Sequence, residues 1–308
     1  MDATREQRDT ANGLLAAAGA FALWGVMPLY WYLLKAVPSL QIVLHRVVWS
    51  AVLVCGWLLL SRGTRWLGVL RGQPRLAGML ALSSLLIGFN WGLYIWAVNA
   101  GHVVETALGY FILPVFNVVT GVLLLRERLT AAQWVSVAIA VIGVLWLTFS
   151  YGSFPWIALA LAASFALYGL IRKLTPVDSI TGLGIESAYL FLPGLALLLW
   201  SESHGNGGFG SGYGLWLSLW LVCAGALTAL PLAGFAYAVR RIPLSTVGLL
   251  QYIAPTLQFL IGVLVLREPF DRDRAIGFVF IWVALAIFSA DSLHRARRAR
   301  RMSTGAST

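Results

Sequence analysis

Residues 112–127 read I-L-P-V-F-N-V-V-T-G-V-L-L-L-R-E, and residues 253–268 read I-A-P-T-L-Q-F-L-I-G-V-L-V-L-R-E. Extended without a gap, Ile95–Leu129 matches Ala236–Phe270 at an offset of 141, with 11 of 35 positions identical. A second pair stands further out. Residues 21–25 read F-A-L-W-G and residues 165–169 read F-A-L-Y-G, at an offset of 144, so a three-residue indel separates the two pairs. Both copies are strongly apolar. A duplicated hydrophobic unit is a signature of membrane carriers, which place their binding site where the copies meet.

Composition agrees with a membrane chain. Hydrophobic residues make up 59% of the 308 residues and charged residues 11%, against about 25% charged in a soluble domain. Several runs reach the roughly 20 apolar residues that a spanning helix needs. No alternating strand pattern with polar lumen positions appears, which argues against a barrel. The net charge is +10, but the charges fall between apolar runs, so topology explains them and no nucleic-acid partner is expected. Cys55 and Cys223 lie inside apolar runs without metal or redox spacing and read as packing residues. The polar N-terminus leads into an apolar run with no evident cleavage site, so that run is expected to stay as a first helix.

The expected fold is an all-α integral membrane protein with ten transmembrane helices, at about 14–34, 39–61, 77–99, 103–125, 131–150, 154–172, 181–200, 214–238, 244–266 and 275–291. The longest flexible connection is the Gly/Ser-rich stretch 203–214. With the N-terminus in the cytoplasm, 17 of the 22 Lys and Arg fall on the cytoplasmic side. Lys35, Arg267, Arg272 and Arg274 fall outside, and Arg46 lies within a span. That bias places both termini in the cytoplasm. The chain divides into an N-terminus (1–13), a first five-helix repeat (14–152), a second (153–292) and a basic tail (293–308) held to anionic lipid by Arg295–Arg301. Five spans is an odd number, so the second repeat inserts upside down. Inverted repeats permit two near-equivalent states that open to opposite sides.

Polar groups inside a membrane are costly, and each needs a reason. Thr106, Tyr110, Pro114, Asn117 and Gly121 recur at helical spacing on one face of the fourth span. The ninth span carries Gln251, Pro255, Gln258 and Gly262 at the equivalent places. Proline withholds a backbone donor, which makes Pro114 and Pro255 candidate hinges. The reading is a central cavity lined by Tyr110, Asn117, Gln251 and Gln258; the competing reading is helix packing through glycine with polar groups as glue. Asn90 and Tyr94 share a face of the third span, and Asn99 marks its end. Trp24 and Tyr168, at one position of the repeated first helix, are candidate walls for an apolar ligand, against the usual packing or interfacial role of aromatics. Four ionisable groups are candidates for proton or charge coupling: Glu105, Glu186, His45 and Arg46. The alternatives are a dipole-stabilising acid for Glu105 and a structural ion pair for the others. His45 and Arg46 are also candidate partners for an anionic group. Arg126-Glu127 and Arg267-Glu268 end equivalent helices and read as terminal anchors.

At these residues the chain resembles a known family. The halves look like the two EamA-type repeats of the drug/metabolite transporter (DMT) superfamily. More closely, the chain resembles the RarD branch of bacterial permeases. The matching stretches include His45-Arg46 with Trp49-Ser50, Asn90-Trp91, Ile95–Asn99, Glu105, Leu108–Ile112 with Pro114, Tyr168-Gly169, Arg172-Lys173, Ile185-Glu186, Gln251–Thr256 and Phe280–Phe288. Leu113 departs from the branch pattern, where asparagine is expected. The resemblance spans about residues 12–292 and implies a ten-helix permease of the bacterial inner membrane that carries small molecules. It does not name a cargo.

The leading functional reading is therefore a secondary active transporter moving a small metabolite or amphipathic drug-like compound by alternating access, with proton coupling resting on the buried acids. No phosphate-binding glycine loop argues for an ATP motor. The four histidines are dispersed without metal or nucleophile spacing, so neither an enzyme, a metal site nor a cofactor is expected. A channel or a non-transporting membrane sensor with the same fold is the alternative. Oligomeric state stays open.

Overall fold

The structure, a computed structural model, describes residues 2–100, 102–152, 154–265 and 272–305. Among these there are eleven α-helices, one short 3-10 helix and no strand. The helices are α1 (Asp2–Leu33), α2 (Ser39–Arg62), α3 (Pro74–Asn99), α4 (Val103–Leu123), α5 (Ala131–Tyr151), α6 (Trp156–Leu174), α7 (Ser179–Ser203), α8 (Gly214–Val239), α9 (Leu244–Leu250), α10 (Ile253–Leu264) and α11 (Arg272–Gly305). The 3-10 helix Arg65–Leu70 joins α2 to α3.

Eight helices, α1 to α8, are long and apolar enough to cross a bilayer. The sequence leads one to expect ten such helices. The ninth is divided into α9 and α10, of 7 and 12 residues. The division has a local cause. Pro255 has no N–H to give to the carbonyl of Gln251, which instead accepts from Ala254 N at 3.2 Å, a tighter turn than the α-helix. Pro114, its equivalent, sits inside an unbroken α4. The expected tenth span lies in α11, whose apolar stretch Ala275–Asp291 is shorter than the other eight.

Helix ends follow local chemistry. Thr130 and Gln133 form a reciprocal capping box at α5. Asp178 caps α7 by accepting from Thr181 N at 3.1 Å. The outer surface carries large apolar side chains almost fully exposed, among them Leu60 (92%) and Phe149 (78%). In water such a surface would aggregate; in lipid it is at equilibrium, and the helices are held by packing and interhelical hydrogen bonds.

The two halves interleave. α1 packs on α8 and α10, α6 on α3 and α4, α2 on α7 and α8, and α5 on α11. Under the exchange of equivalent helices, the contact of α4 with α6 maps onto that of α10 with α1. The contact of α3 with α6 maps onto that of α8 with α1 in the same way. The packing thus has a two-fold pattern.

Residues at one end of the bundle are tied together. A β-carbon on Gly13 would touch Arg241 and Ile242, Glu127 binds the start of α9, Lys173 binds the end of α8, and Thr130 donates to Asp291 at 3.1 Å. This is the near end. At the far end Tyr30 meets Trp220 and Trp96 stacks on Trp156. The largest buried apolar cluster, with Phe21, Leu58, Phe235, Val239, Leu244 and Val247, fills the middle and the near end.

Candidate functional site

Between the middle of the bundle and the far end lies a cavity of about 150 Å³, room on the order of ten waters. Seven aromatic side chains line it: Phe21, Trp24, Trp31, Trp91, Tyr94, Tyr110 and Phe165. The polar lining is Arg46, Asn90, Thr106, Thr228, Gln251 and Gln258. Elements of both halves contribute: α1, α2, α3 and α4 from one, α6, α8, Gln251 and α10 from the other.

The floor is built from the repeated pentapeptide. Trp24 of the first copy meets Phe165 of the second edge-on, centroids 5.9 Å apart. Phe235 joins them, at 6.2 Å from Trp24 and 5.2 Å from Phe165. Gly25 lets α10 approach: a β-carbon there would stand 2.7 Å from Leu257 Cβ. Below the floor the route to the near end is packed shut. A β-carbon on Gly248 would lie 2.6 Å from the carbonyl oxygen of Pro114, so α4 and α9 touch backbone to backbone.

The sequence candidates divide into two groups. Tyr110, Gln251, Gln258, Asn90, Tyr94, Trp24, Arg46 and Pro255 all line the cavity. Asn90 also fastens α3 to α6, donating to Leu161 O at 2.8 Å and Ser164 Oγ at 2.9 Å. Gln258 donates to Trp24 O at 3.1 Å. Asn117 is not in the lining; it is fully buried and donates to Gln251 Oε1 at 2.6 Å. Tyr168 is not in the lining either. It lies beneath the floor, stacked on Phe235 at 6.0 Å, with its hydroxyl 3.4 Å from Glu186 Oε2. Pro114 stands on the closed side. Asn99 lies at the end of α3 with its side chain outside the described part, as does the whole of Arg267-Glu268.

The charged candidates differ in how they are compensated. Glu186 is buried; Arg172 Nε stands 3.5 Å away and Ser83 Oγ donates to it. Arg172, placed by sequence among the loop cations, is itself fully buried and also donates to Ser179 O at 3.0 Å. Glu105 accepts from Ile157 N at 2.7 Å, which caps α6, and lies 3.9 Å from His102. His45 is outside the lining, stacked on Phe209 at 4.7 Å, with Nδ1 accepting from Trp49 Nε1 at 3.2 Å. Arg46 alone faces the cavity. Its Nε donates to Thr228 Oγ1 at 3.0 Å, and its guanidinium carbon lies 4.9 Å from the Trp31 ring and 5.4 Å from the Trp91 ring.

Several residues escaped the sequence reading. Thr228, Trp31 and Phe165 lie in spans that are apolar throughout; a hydroxyl in such a run is the one signal that would have marked Thr228. Glu127 is more than an anchor. Its carboxylate accepts from Leu244 N at 2.7 Å, Ser245 N at 2.9 Å and Ser245 Oγ at 2.7 Å, which caps α9. Lys173 stands 3.8 Å from it and donates to Val239 O and Ile242 O. Arg126, at φ 54, is a non-glycine residue in the left-handed region and sets the turn that delivers Glu127.

Comparison with known proteins follows from this geometry. The profile of the EamA-like transporter family matches twice, over residues 11–149 and 154–290. "Protein RarD" of Streptomyces exfoliatus is 46% identical over 97% of this chain and 94% of its own. An "Uncharacterized transporter" of Vibrio cholerae is 45% identical over 96% of this chain and 99% of its own. A protein of known crystal structure, 21% identical, superposes with a TM-score of 0.69 over 94% of this chain and 99% of that one, a likeness of fold alone.

Proposed function

The chain belongs to the EamA-like transporter family, in its RarD branch, and from that premise we propose that it is a secondary active transporter of a small metabolite or amphipathic drug-like compound, working by alternating access. The family implies a small-molecule substrate and a membrane setting, and the chain is a multi-pass bacterial membrane protein. The observation that carries the reading is the cavity walled by both repeats, closed toward the near end by the packing of α4 on α9.

In this proposal the chain crosses the inner membrane ten times, with α9 and α10 together forming the ninth crossing and α11 the tenth. The two repeats are inverted, divide near residue 152, and leave both termini in the cytoplasm. Tyr110, Gln251, Gln258, Asn90, Tyr94 and Trp24 hold the cargo. Asn117 and Tyr168 support them from beneath, and Pro114 and Pro255 serve as hinges. Glu186 carries the coupling proton: it is a carboxylate enclosed against the cavity floor. Glu105 and His45, held by a helix cap and an aromatic stack, position their helices.

The test is a metabolite screen by thermal shift on purified protein, with Tyr110→Ala and Gln258→Ala beside wild type, followed by counterflow of the best binder in proteoliposomes. Saturable counterflow lost in both variants supports a carrier. Flux that rises linearly without saturation would make the protein a channel, and binding without flux would make it a sensor.

A further inference from the structure

We propose that the cargo is an organic anion: an oxyanion head seated on Arg46, joined to a flat apolar body that lies among the aromatic walls. The proposal rests on the transport reading for the word cargo, and on the cavity alone for its chemistry.

The charge balance carries it. The cavity lining contains one charged side chain, Arg46, and no acid. Among the described residues no carboxylate pairs with Arg46; the ion pairs present are Arg62–Asp178, His102–Glu105, Arg172–Glu186 and Lys173–Glu127. The contrast with Arg172 is informative. That guanidinium is fully enclosed and has Glu186 at 3.5 Å, as a buried charge requires. Arg46 is equally committed to the interior of a membrane protein but lacks its counter-ion. An intramembrane charge facing a cavity without a protein partner marks a ligand of opposite sign.

The geometry prepares Arg46 for that ligand. Thr228 Oγ1 donates its own proton to Ala224 O at 2.7 Å, so its lone pairs are turned to Nε of Arg46. Trp31 and Trp91 hold the guanidinium by cation–π contact. Among the described residues Nε is the one Arg46 nitrogen with a hydrogen-bond partner. The two terminal nitrogens form the planar fork that suits a carboxylate or phosphate oxygen pair. The rest of the lining is aromatic or aliphatic, with amides of Asn90, Gln251 and Gln258 to orient a polar substituent. An organic cation would meet an Arg and no acid.

The test uses charge-matched probes on purified wild-type protein, read by calorimetry. Indole-3-acetate, indole-3-acetamide and tryptamine share a ring and differ in charge. Phenylacetate, phenylacetamide and phenethylamine form a second set. The expected result is that at least one acid binds about tenfold or more tightly than its amide and amine. Arg46→Gln, which removes the charge, should bring acid and amide together, while Arg46→Lys keeps the preference at reduced strength and guards against a fold defect. If neither acid outbinds its amide and amine, or if Arg46→Gln keeps the full preference, the assignment is overturned. An acid that binds through Arg46 but shows no counterflow leaves this assignment standing and defeats the transport reading instead.

Discussion

Asn117 and Gln251 are joined by a hydrogen bond of 2.6 Å that ties α4 to the break between α9 and α10, with both side chains buried. By the offset of 141, Asn117 is equivalent to Gln258 and Gln251 to Tyr110. The twin of this contact is therefore Tyr110 with Gln258. That pair is not bonded here: both line the cavity, and the Gln258 amide is engaged with Trp24 O. One member of a symmetry-related pair of contacts is made and the other is open.

On the proposed cycle the opposite state makes the Tyr110–Gln258 contact and releases the first. The double variants Asn117→Cys/Gln251→Cys and Tyr110→Cys/Gln258→Cys should each cross-link on oxidation, each stop counterflow, and each recover on reduction. A Tyr110/Gln258 pair that never cross-links under any condition would sink the exchange.

Gly248→Ala should separate α4 from α9. The new β-carbon would stand 2.6 Å from Pro114 O and 2.9 Å from Asn117 Cβ, and the carbonyl cannot swing away. The expected loss is about 1–3 kcal/mol in thermal melts. Gly19→Ala is the control, since nothing lies within 4 Å of its β-carbon. It should be neutral or gain about 0.5–1 kcal/mol from helix propensity. Equal melting of the two variants would refute the close approach.

Glu186→Gln leaves the Arg172 guanidinium buried without its counter-ion. Removing one partner of such a pair costs about 3–5 kcal/mol, and removing both costs less. The double variant with Arg172→Met should therefore melt above Glu186→Gln. The same Glu186→Gln variant, assayed in proteoliposomes, should slow flux driven by a pH gradient. Undiminished gradient-driven flux would remove Glu186 from the coupling role.

Asp178 gives a pH dependence outside the membrane. Burial alone would raise its pKa, but hydrogen bonds from Thr181 and Arg62 outweigh burial and hold the carboxyl below its ordinary value. A carboxyl lowered on folding contributes stability that is present above its unfolded pKa and lost as pH falls through the folded one. Melting temperature should drop more steeply for wild type than for Asp178→Asn below about pH 4. Parallel acid limbs for the two proteins would deny the linkage.

The repeat, the apolar spans and the polar faces were legible in the sequence because periodicity and spacing are one-dimensional facts. Depth was not. Asn117 shares its helix face with Tyr110, yet Tyr110 stands in the cavity and Asn117 below it, since the cavity is offset toward the far end. Trp24 and Tyr168 hold the same place in the two copies, yet Trp24 lines the cavity while the Tyr168 hydroxyl turns to Glu186. A conformation that treats the copies unequally cannot be read from their similarity. Arg172 sits at a helix end in the sequence and looks like a loop cation; the packing of α6 and α7 encloses it. The broken ninth helix was signalled by Pro255, but Pro114 carries the same signal in a helix that stays whole.

The interleaving of the halves has a consequence for how the chain is made. α1 finds its main neighbours in α8 and α10, and α2 in α7 and α8, elements synthesised long afterwards. When the first five helices have left the ribosome, Trp24 has neither Phe165 nor Phe235 to meet. The early helices must therefore wait in the bilayer as separate, lipid-solvated rods. Assembly belongs to the last third of translation, and a truncated chain lacking α8 would be inserted yet unassembled, an early target for membrane proteases.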